Sequence, residues 1–292
     1  MRQHIYLPFL IALFILSACG DATKPPVPPV NAQDTIPTRD DNMALGNPSN
    51  ADATDPNNYL IVKPQFVVGY NSSKGEANWV SWHLSRAWKG AAARQDDFRR
   101  DPDLPTASGF FAASSSSYSG SGYDRGHLCP SDDRDGSISD NSASFVMSNM
   151  IPQAPNLNRI SWLGLEDYGR KLITQGQEIY IIAGGYGVGG VASSSSSLVN
   201  TINNGNIDVP SHTWKILVVL PVGKTDISRI STDTRVIAVA MPNRFDVNDL
   251  SWGTYRVSVD ELEQKTGLDF LSEVPVGVQA GIESQADTGP TN

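Results

Sequence analysis

The sequence predicts an α+β fold, with a central, largely antiparallel sheet flanked by helices. Three observations carry this. Several runs rich in Val, Ile and aromatic residues are bounded by turn residues, as strands are. Two of them are joined by the turn-rich "NSSKGE". One stretch after Pro155 carries apolar residues at helical spacing.

The chain opens with "MRQHIYLPFLIALFILSACG": one early Arg, an apolar run from Tyr6 to Leu16, then small residues. That is the layout of a secretory signal and not of a membrane span. "LSAC" reads as a lipobox, which makes residues 1–18 a lipoprotein-type signal peptide and Cys19 the lipidated first residue; a plain signal peptide cut nearby is the rival reading. Either places the mature chain outside the cytoplasm, secreted or held on the bacterial envelope, with membrane contact only through the lipid. Residues 19–56 are polar and Pro-rich and read as an extended linker. The folded domain is expected over 57–283, and 284–292 as a polar, frayed tail.

"NYLIVKPQFVVGYN" and "ANWVSWHLSRAW" are read as two strands, with His83 packed or half exposed in the second. The Ser-rich tracts 114–122 and 193–197 are read as flexible surface loops. "NLNRISWLGLEDYGRKLITQG" is read as a helix capped by Asn156 and stopped by Gly176. "EIYIIAGG", "TWKILVVLPV" and "TRVIAVAMP" are expected to be buried strands, with His212 structural at the entry to the second.

The chain has 292 residues, a formal net charge of -9 and two cysteines. The charge excludes a role in packaging nucleic acid but not an enzyme with a local cationic cleft. With Cys19 removed or lipidated, Cys129 has no partner, so the fold rests on packing; Cys129 is expected to be a small buried residue.

His127 stands in "SGSGYDRGHLCPSDDRD", a polar segment where an imidazole is unlike a core residue. Downstream, Asn158, Trp162, Glu166 and Arg170 follow at steps of four along the predicted helix. Such a series stays on adjoining parts of one helix face. Taken alone it fits a solvated face equally well; beside the histidine it fits phosphodiester cleavage. That reaction needs a base for water and positive charge on the phosphate and leaving oxygen. A neutral imidazole supplies the first. A hard cation that keeps several waters, held by one Asn oxygen and by a Glu through water, supplies the second.

"YDRGH", "SNMIPQAPNLN", the Trp and "LEDYGR" together resemble the DNA/RNA non-specific endonuclease family of the Serratia type, with its ββα-metal active site. The resemblance spans nearly the whole mature domain, from "NYLIVK" to "VSVDELE" and "IES". It implies that His127 is the general base and Asn158 the direct metal ligand. It implies that Glu166 holds the metal through water, that Arg94 and Arg170 stabilise phosphate, that Asp124 orders the site and that Arg125 touches phosphate. Asn149 is a further signature position with a structural role. It also implies cleavage of DNA and RNA without sequence or sugar preference, and 5'-phosphate and 3'-hydroxyl products. Mg2+ is the expected cofactor, with Mn2+ also supporting activity; no Cys/His cluster of zinc spacing is present in the sequence. DNA and RNA are the expected partners, with a dedicated protein inhibitor as a further one. Cys129 stands where the family usually has Ala, and the Ser-rich segment before the signature is longer than usual. Between residues 94 and 171 eight basic residues face eleven acidic ones, so long-range attraction for nucleic acid is expected to be weak. An inactive envelope lipoprotein that captures nucleic acid and a purely structural envelope protein are the alternatives; neither needs a base and a metal ligand together.

Overall fold

Near-continuous apolar runs become strands when both faces of their sheet are covered, and the longest runs here do so. The structure, a computed structural model, describes Met1 and residues 35–194, 196–249 and 251–292, with residues 248 and 249 described for the backbone only. In chain order the strands are β1 (Tyr59–Val62), β2 (Val67–Asn71), β3 (Glu76–Leu84), β4 (Asp124–His127), β5 (Met150–Gln153), β6 (Gln177–Tyr186), β7 (Thr201–Ile202), β8 (Ile207–Asp208), β9 (His212–Pro221), β10 (Arg235–Pro242) and β11 (Arg256–Val257). The helices are α1 (Ile138–Ala143), α2 (Leu163–Thr174), α3 (Asp226–Arg229), α4 (Val259–Thr266) and α5 (Val276–Glu283).

A seven-stranded sheet runs in the order β1-β2-β3-β6-β9-β10-β11, with every neighbouring pair antiparallel. Because side chains alternate across a strand, the sheet carries two cores. Val80, Trp82, Leu84, Ile181 and Leu217 pack on one face with Leu165, Leu172 and Ile173 of α2. Trp79, Tyr180, Ile182, Ile216 and Val218 pack on the other with Leu45, Leu262, Phe270 and Ile282. The predicted α+β class and its antiparallel sheet are thus what the chain adopts. Strands β3 and β6 are neighbours in the sheet, and the chain between them, from 85 to 176, carries the separate β4–β5 hairpin and α2.

Several sequence expectations are corrected. The first apolar segment is two strands: Pro64 cannot donate to a ladder, and Lys63 N–H closes a turn onto Phe66 O at 3.0 Å. The region read as an extended linker up to 56 is packed from about residue 38. Leu45 and Ala51 are buried, Asn42 Nδ2 donates to Pro64 O at 2.9 Å, and Ser81 Oγ donates to Asn42 O at 2.6 Å. Nor is the tail frayed throughout, since Arg235 and Arg256 both donate to the Asp287 carboxylate. Within the first Ser-rich tract, Ser115–Tyr118 forms a 3-10 turn with Tyr118 buried. The helix begins as a π-helical turn over Leu157–Trp162 before continuing as α2. Asn156 does not cap it; its carboxamide donates to Phe245 O at 2.6 Å. The signal peptide after Met1, and Cys19, lie outside the described residues.

His83 is fully buried in β3, and His212 is half-buried, its ring stacked on Tyr186 with centroids 4.9 Å apart. Each ring packs against a tyrosine, His83 on Tyr180, and neither histidine lines the groove described below.

Candidate active site

The signature "DRGH" is strand β4, paired antiparallel with β5 so that Asp124 lies opposite Gln153 and His127 opposite Met150. Gly126 is required by close approach: a Cβ there would lie 2.0 Å from Gln153 Oε1. Asn149 is structural, as expected. Its Oδ1 accepts from Cys129 N–H at 2.9 Å, and its Nδ2 donates to the Cys129 and Ser144 carbonyls. This fixes the chain just past the histidine. Cys129 is fully buried, and burial pushes its thiol pKa up to about 12.

The hairpin is fastened to the following helix by hydrogen bonds at both of its ends. Trp162 Nε1 donates to His127 O at 3.2 Å, and Asn158 Nδ2 donates to Asp124 Oδ2 at 2.9 Å. The π turn matters to this alignment. Its i to i+5 bonding gives roughly 4.4 residues per turn in place of ~3.6, so Asn158 drifts less around the axis from Glu166 than a regular helix would allow.

His127, Arg94, Arg125, Asn158 and Glu166 line one hollow, together with Ser131 and Arg159. A second hollow shares Arg94, Arg125 and Asn158 and adds Asp124, Tyr118 and Tyr123, so the two form a continuous groove. The His127 ring is wedged against Phe145 and Phe98, with centroids 5.0 and 5.6 Å away. Its Nε2 is buried without a hydrogen-bond partner. Burial, reinforced by the nearby Arg94 and Arg125 charges, pulls its pKa down to about 3, which keeps the ring neutral. The same aromatic pair carries the arginines: Arg94 lies 4.8 Å from the Phe145 centroid and Arg125 lies 3.9 Å from that of Phe98. Arg94 Nη1 also donates to Ser131 Oγ at 2.8 Å.

Arg170 departs from expectation. Its guanidinium pairs with Asp133 at 3.1 Å and Asp167 at 2.7 Å, and it is not among the residues lining the groove. Asp133 in turn accepts from Trp82 Nε1 at 3.0 Å, so Arg170 ties α2 to the sheet.

Sequence reasoning missed two residues. Arg159 makes a bidentate pair with Asp124 at 2.8 and 2.7 Å while remaining largely exposed. Lys215, fully buried on β9, places Nζ 3.3 Å from Glu166 Oε1. Burial raises the Glu166 pKa, with Lys215 and Arg170 opposing the shift, and burial lowers that of Lys215. A lone Lys inside "TWKILVVLPV" was the available signal.

The residues suit a hard cation. Asn158 spends its Nδ2 on Asp124, which leaves the carboxamide Oδ1 as its donor atom, and the other nearby donors are the carboxylates of Asp124 and Glu166. A β-hairpin bearing a buried histidine, followed by a helix bearing amide and carboxylate oxygens, is the ββα-metal arrangement of a class of nucleases.

The family model for DNA/RNA non-specific endonucleases matches residues 45–277. A nuclease of Nostoc sp. (strain PCC 7120) is 46% identical over 280 residues, covering 95% of this chain and 96% of that protein. Nuclease C1 of Cunninghamella echinulata is 27% identical over 223 residues, covering 74% and 84% of the respective chains. Among solved structures, the crystal structure of the EndoG/EndoGI complex aligns with a TM-score of 0.66 at 23% identity, covering 81% of this chain and 92% of that one. The chain therefore belongs to the DNA/RNA non-specific endonuclease family, and the protein is a nuclease.

Proposed function

We propose that the protein is a divalent-metal-dependent endonuclease that hydrolyses phosphodiester bonds of DNA and RNA without sequence or sugar preference. The observation that carries this reading is the Asn158–Asp124 bond: it engages the amide nitrogen and leaves the amide oxygen as the donor atom of a residue that lines the same hollow as His127. His127 serves as general base. Its buried Nε2 lies among aromatic rings, so Nδ1 is the nitrogen assigned to water, where the neutral ring offers a lone pair. Asn158 Oδ1 would hold a magnesium or manganese ion directly, and Glu166 would hold it through water, with Asp124 ordering the same shell. When bound, such an ion supplies positive charge to the phosphate and to the departing oxygen.

Arg94 and Arg125 are held on aromatic faces at the junction of the two hollows. From there they would neutralise charge developing on the phosphoryl oxygens. Arg170 acts on Glu166 through the helix and not on substrate. Contacts to phosphate and sugar carry no base information, which supports the lack of sequence preference. Attack by water makes the 2'-hydroxyl unnecessary and favours 5'-phosphate and 3'-hydroxyl ends. The N-terminal signal supports an extracytoplasmic site of action, with or without a lipid at Cys19. The inhibitor bound to EndoG in its crystal structure supports a protein inhibitor as a partner class.

The test is degradation of plasmid DNA and of RNA by the full chain, with and without EDTA, followed by end analysis of the products. Cleavage that needs Mg2+ or Mn2+, leaves 5'-phosphates and falls by ~10²-fold or more in His127→Ala supports the reading. Binding without degradation, or degradation indifferent to EDTA and to His127→Ala, overturns it.

A further inference from the structure

Behind the sheet, on the face opposite α2, four potential ligands converge from separate parts of the chain. His83 comes from β3 and Glu178 from β6, where the register sets His83 opposite Tyr180. Asp226 opens α3, and Asp40 comes from the segment packed ahead of β1. One ligand atom from each lies within 4.8 Å of the others. We propose that Asp40, His83, Glu178 and Asp226 form a second cation site, suited to a zinc-class divalent ion, that fastens the N-terminal segment to the sheet.

Acidic clusters are common without an ion, but this one holds buried atoms with unmet bonding capacity. The side chains of His83 and Glu178 are fully buried, and both His83 Nε2 and Glu178 Oε2 lack a hydrogen-bond partner. They point at each other across 3.5 Å, and Nε2 lies 3.8 Å from Asp40 Oδ2. A hydrogen bond would draw such atoms to ~2.9 Å. Neighbouring donors around a tetrahedral zinc, at about 2.0–2.1 Å from the ion, lie roughly 3.3 Å apart. The two spacings from His83 Nε2 exceed that edge by about 0.2 and 0.5 Å, a gap that a small contraction onto an ion closes.

Charge leads to the same place. The three carboxylates are met by one guanidinium: Arg229 Nη2 donates to Glu178 Oε1 and to Asp226 Oδ1, each at 2.6 Å. With a neutral imidazole this leaves two negative charges in excess, in a setting where unpaired charge is costly. A dication balances them. An imidazole with carboxylate oxygens is a borderline donor set, of the kind zinc takes and magnesium does not favour. Asp40, whose side chain is 32% exposed, offers the way in.

The other contacts set the cost of loading. Tyr180 OH donates to Asp226 Oδ2, Gly223 N–H donates to Glu178 Oε1, and Thr38 Oγ1 donates to Asp40 Oδ2. Asp40 N–H donates to His83 Nδ1 at 3.3 Å, so the ion-free neutral ring carries its proton on Nε2. Loading transfers that proton to Nδ1 and turns the Asp40 amide away from the ring, with no net proton release. The reorganised stretch is the one entering the domain, which makes the site a clasp for that entry and separates it from the chemistry of the groove.

The test uses the full chain stripped with EDTA and carrying Asn158→Ala, so that the groove's ligand is removed. Zn2+ titration by calorimetry should show one tight equivalent in this background. Glu178→Gln should abolish it, and Asp40→Asn should weaken it at least tenfold. Co2+ in place of Zn2+ should give the intense visible absorption of a tetrahedral site, and Zn2+ should raise Tm. If Glu178→Gln fails to fold, the half-exposed Asp40→Asn, checked by circular dichroism, still decides. Absence of a tight Zn2+ equivalent in the Asn158→Ala chain, or affinity unchanged in folded Asp40→Asn, overturns the proposal.

Discussion

Lys215 Nζ lies 3.3 Å from Glu166 Oε1, and its ammonium is flanked by the Trp162 ring at 4.1 Å and the Trp82 ring at 5.4 Å. A strand of the sheet thus supplies a buried counter-charge to a carboxylate on the helix. Lys215→Met keeps the apolar stem and removes the charge. Glu166, whose pKa burial already raises, then moves further up. In the proposed mechanism Glu166 acts charged, so the acid limb of kcat/KM should shift to higher pH by about one unit or more. Stability should fall by about 3–5 kcal/mol, the scale for a broken buried pair. A pH–rate profile and thermal unfolding check both, and an unmoved acid limb would remove Lys215 from this role.

His127 makes an opposite contribution on the pH axis. Its pKa is held down at about 3 by burial and then by Arg94 and Arg125, against ~6.5 in the unfolded chain. As pH falls below the unfolded value, the unfolded state takes up the proton first. The stability associated with the neutral ring is therefore complete above about pH 6.5 and is lost as pH falls from there toward 3, by up to ~1.4 kcal/mol per unit. Urea unfolding between pH 4 and 7 should show a flatter stability slope in His127→Ala than in the parent. Equal slopes would contradict the depressed pKa.

Gly126→Ala places a methyl group against Gln153 Oε1 and Cδ, 2.0 and 2.5 Å from the ideal Cβ position. Gln153 is fully buried and has little room to move. The substitution should cost about 1–3 kcal/mol, the range for overpacking, and should lower activity by displacing β4. Adding Gln153→Ala should restore most of the stability in denaturant titration. If the double variant is no better than the single one, the close approach is not the reason for the glycine.

Much of this was legible because the chemistry is concentrated in short motifs. "DRGH" and the Asn–Glu helix drew attention by residue type and spacing, the family resemblance added Arg94, Asp124 and Arg125, and all of these, with His127, Asn158 and Glu166, line one groove. What stayed hidden came from tertiary contacts. Lys215 reaches the site only through strand pairing, Ala183 lying opposite it in the register. Arg170 carried the right charge, but the Asp133 that captures it is 37 residues away. The packed stretch around Leu45 and Ala51 has too few apolar residues for a period of either 2 or 3.6 to register, and its order comes from single anchors such as Asn42. The wider first turn of the helix left no mark in a four-residue spacing.

Between β3 and β6 the chain departs from the sheet and returns to the adjacent position, and every residue lining the groove belongs to that excursion, while Lys215, buried behind Glu166, does not. The sheet can therefore close its β3–β6 ladder only by closing a loop of some ninety residues, an entropic cost that falls on folding as a whole. Activity should consequently return during refolding no sooner than this ladder gains protection from hydrogen exchange. The groove has no independent existence apart from the two strands that bracket it.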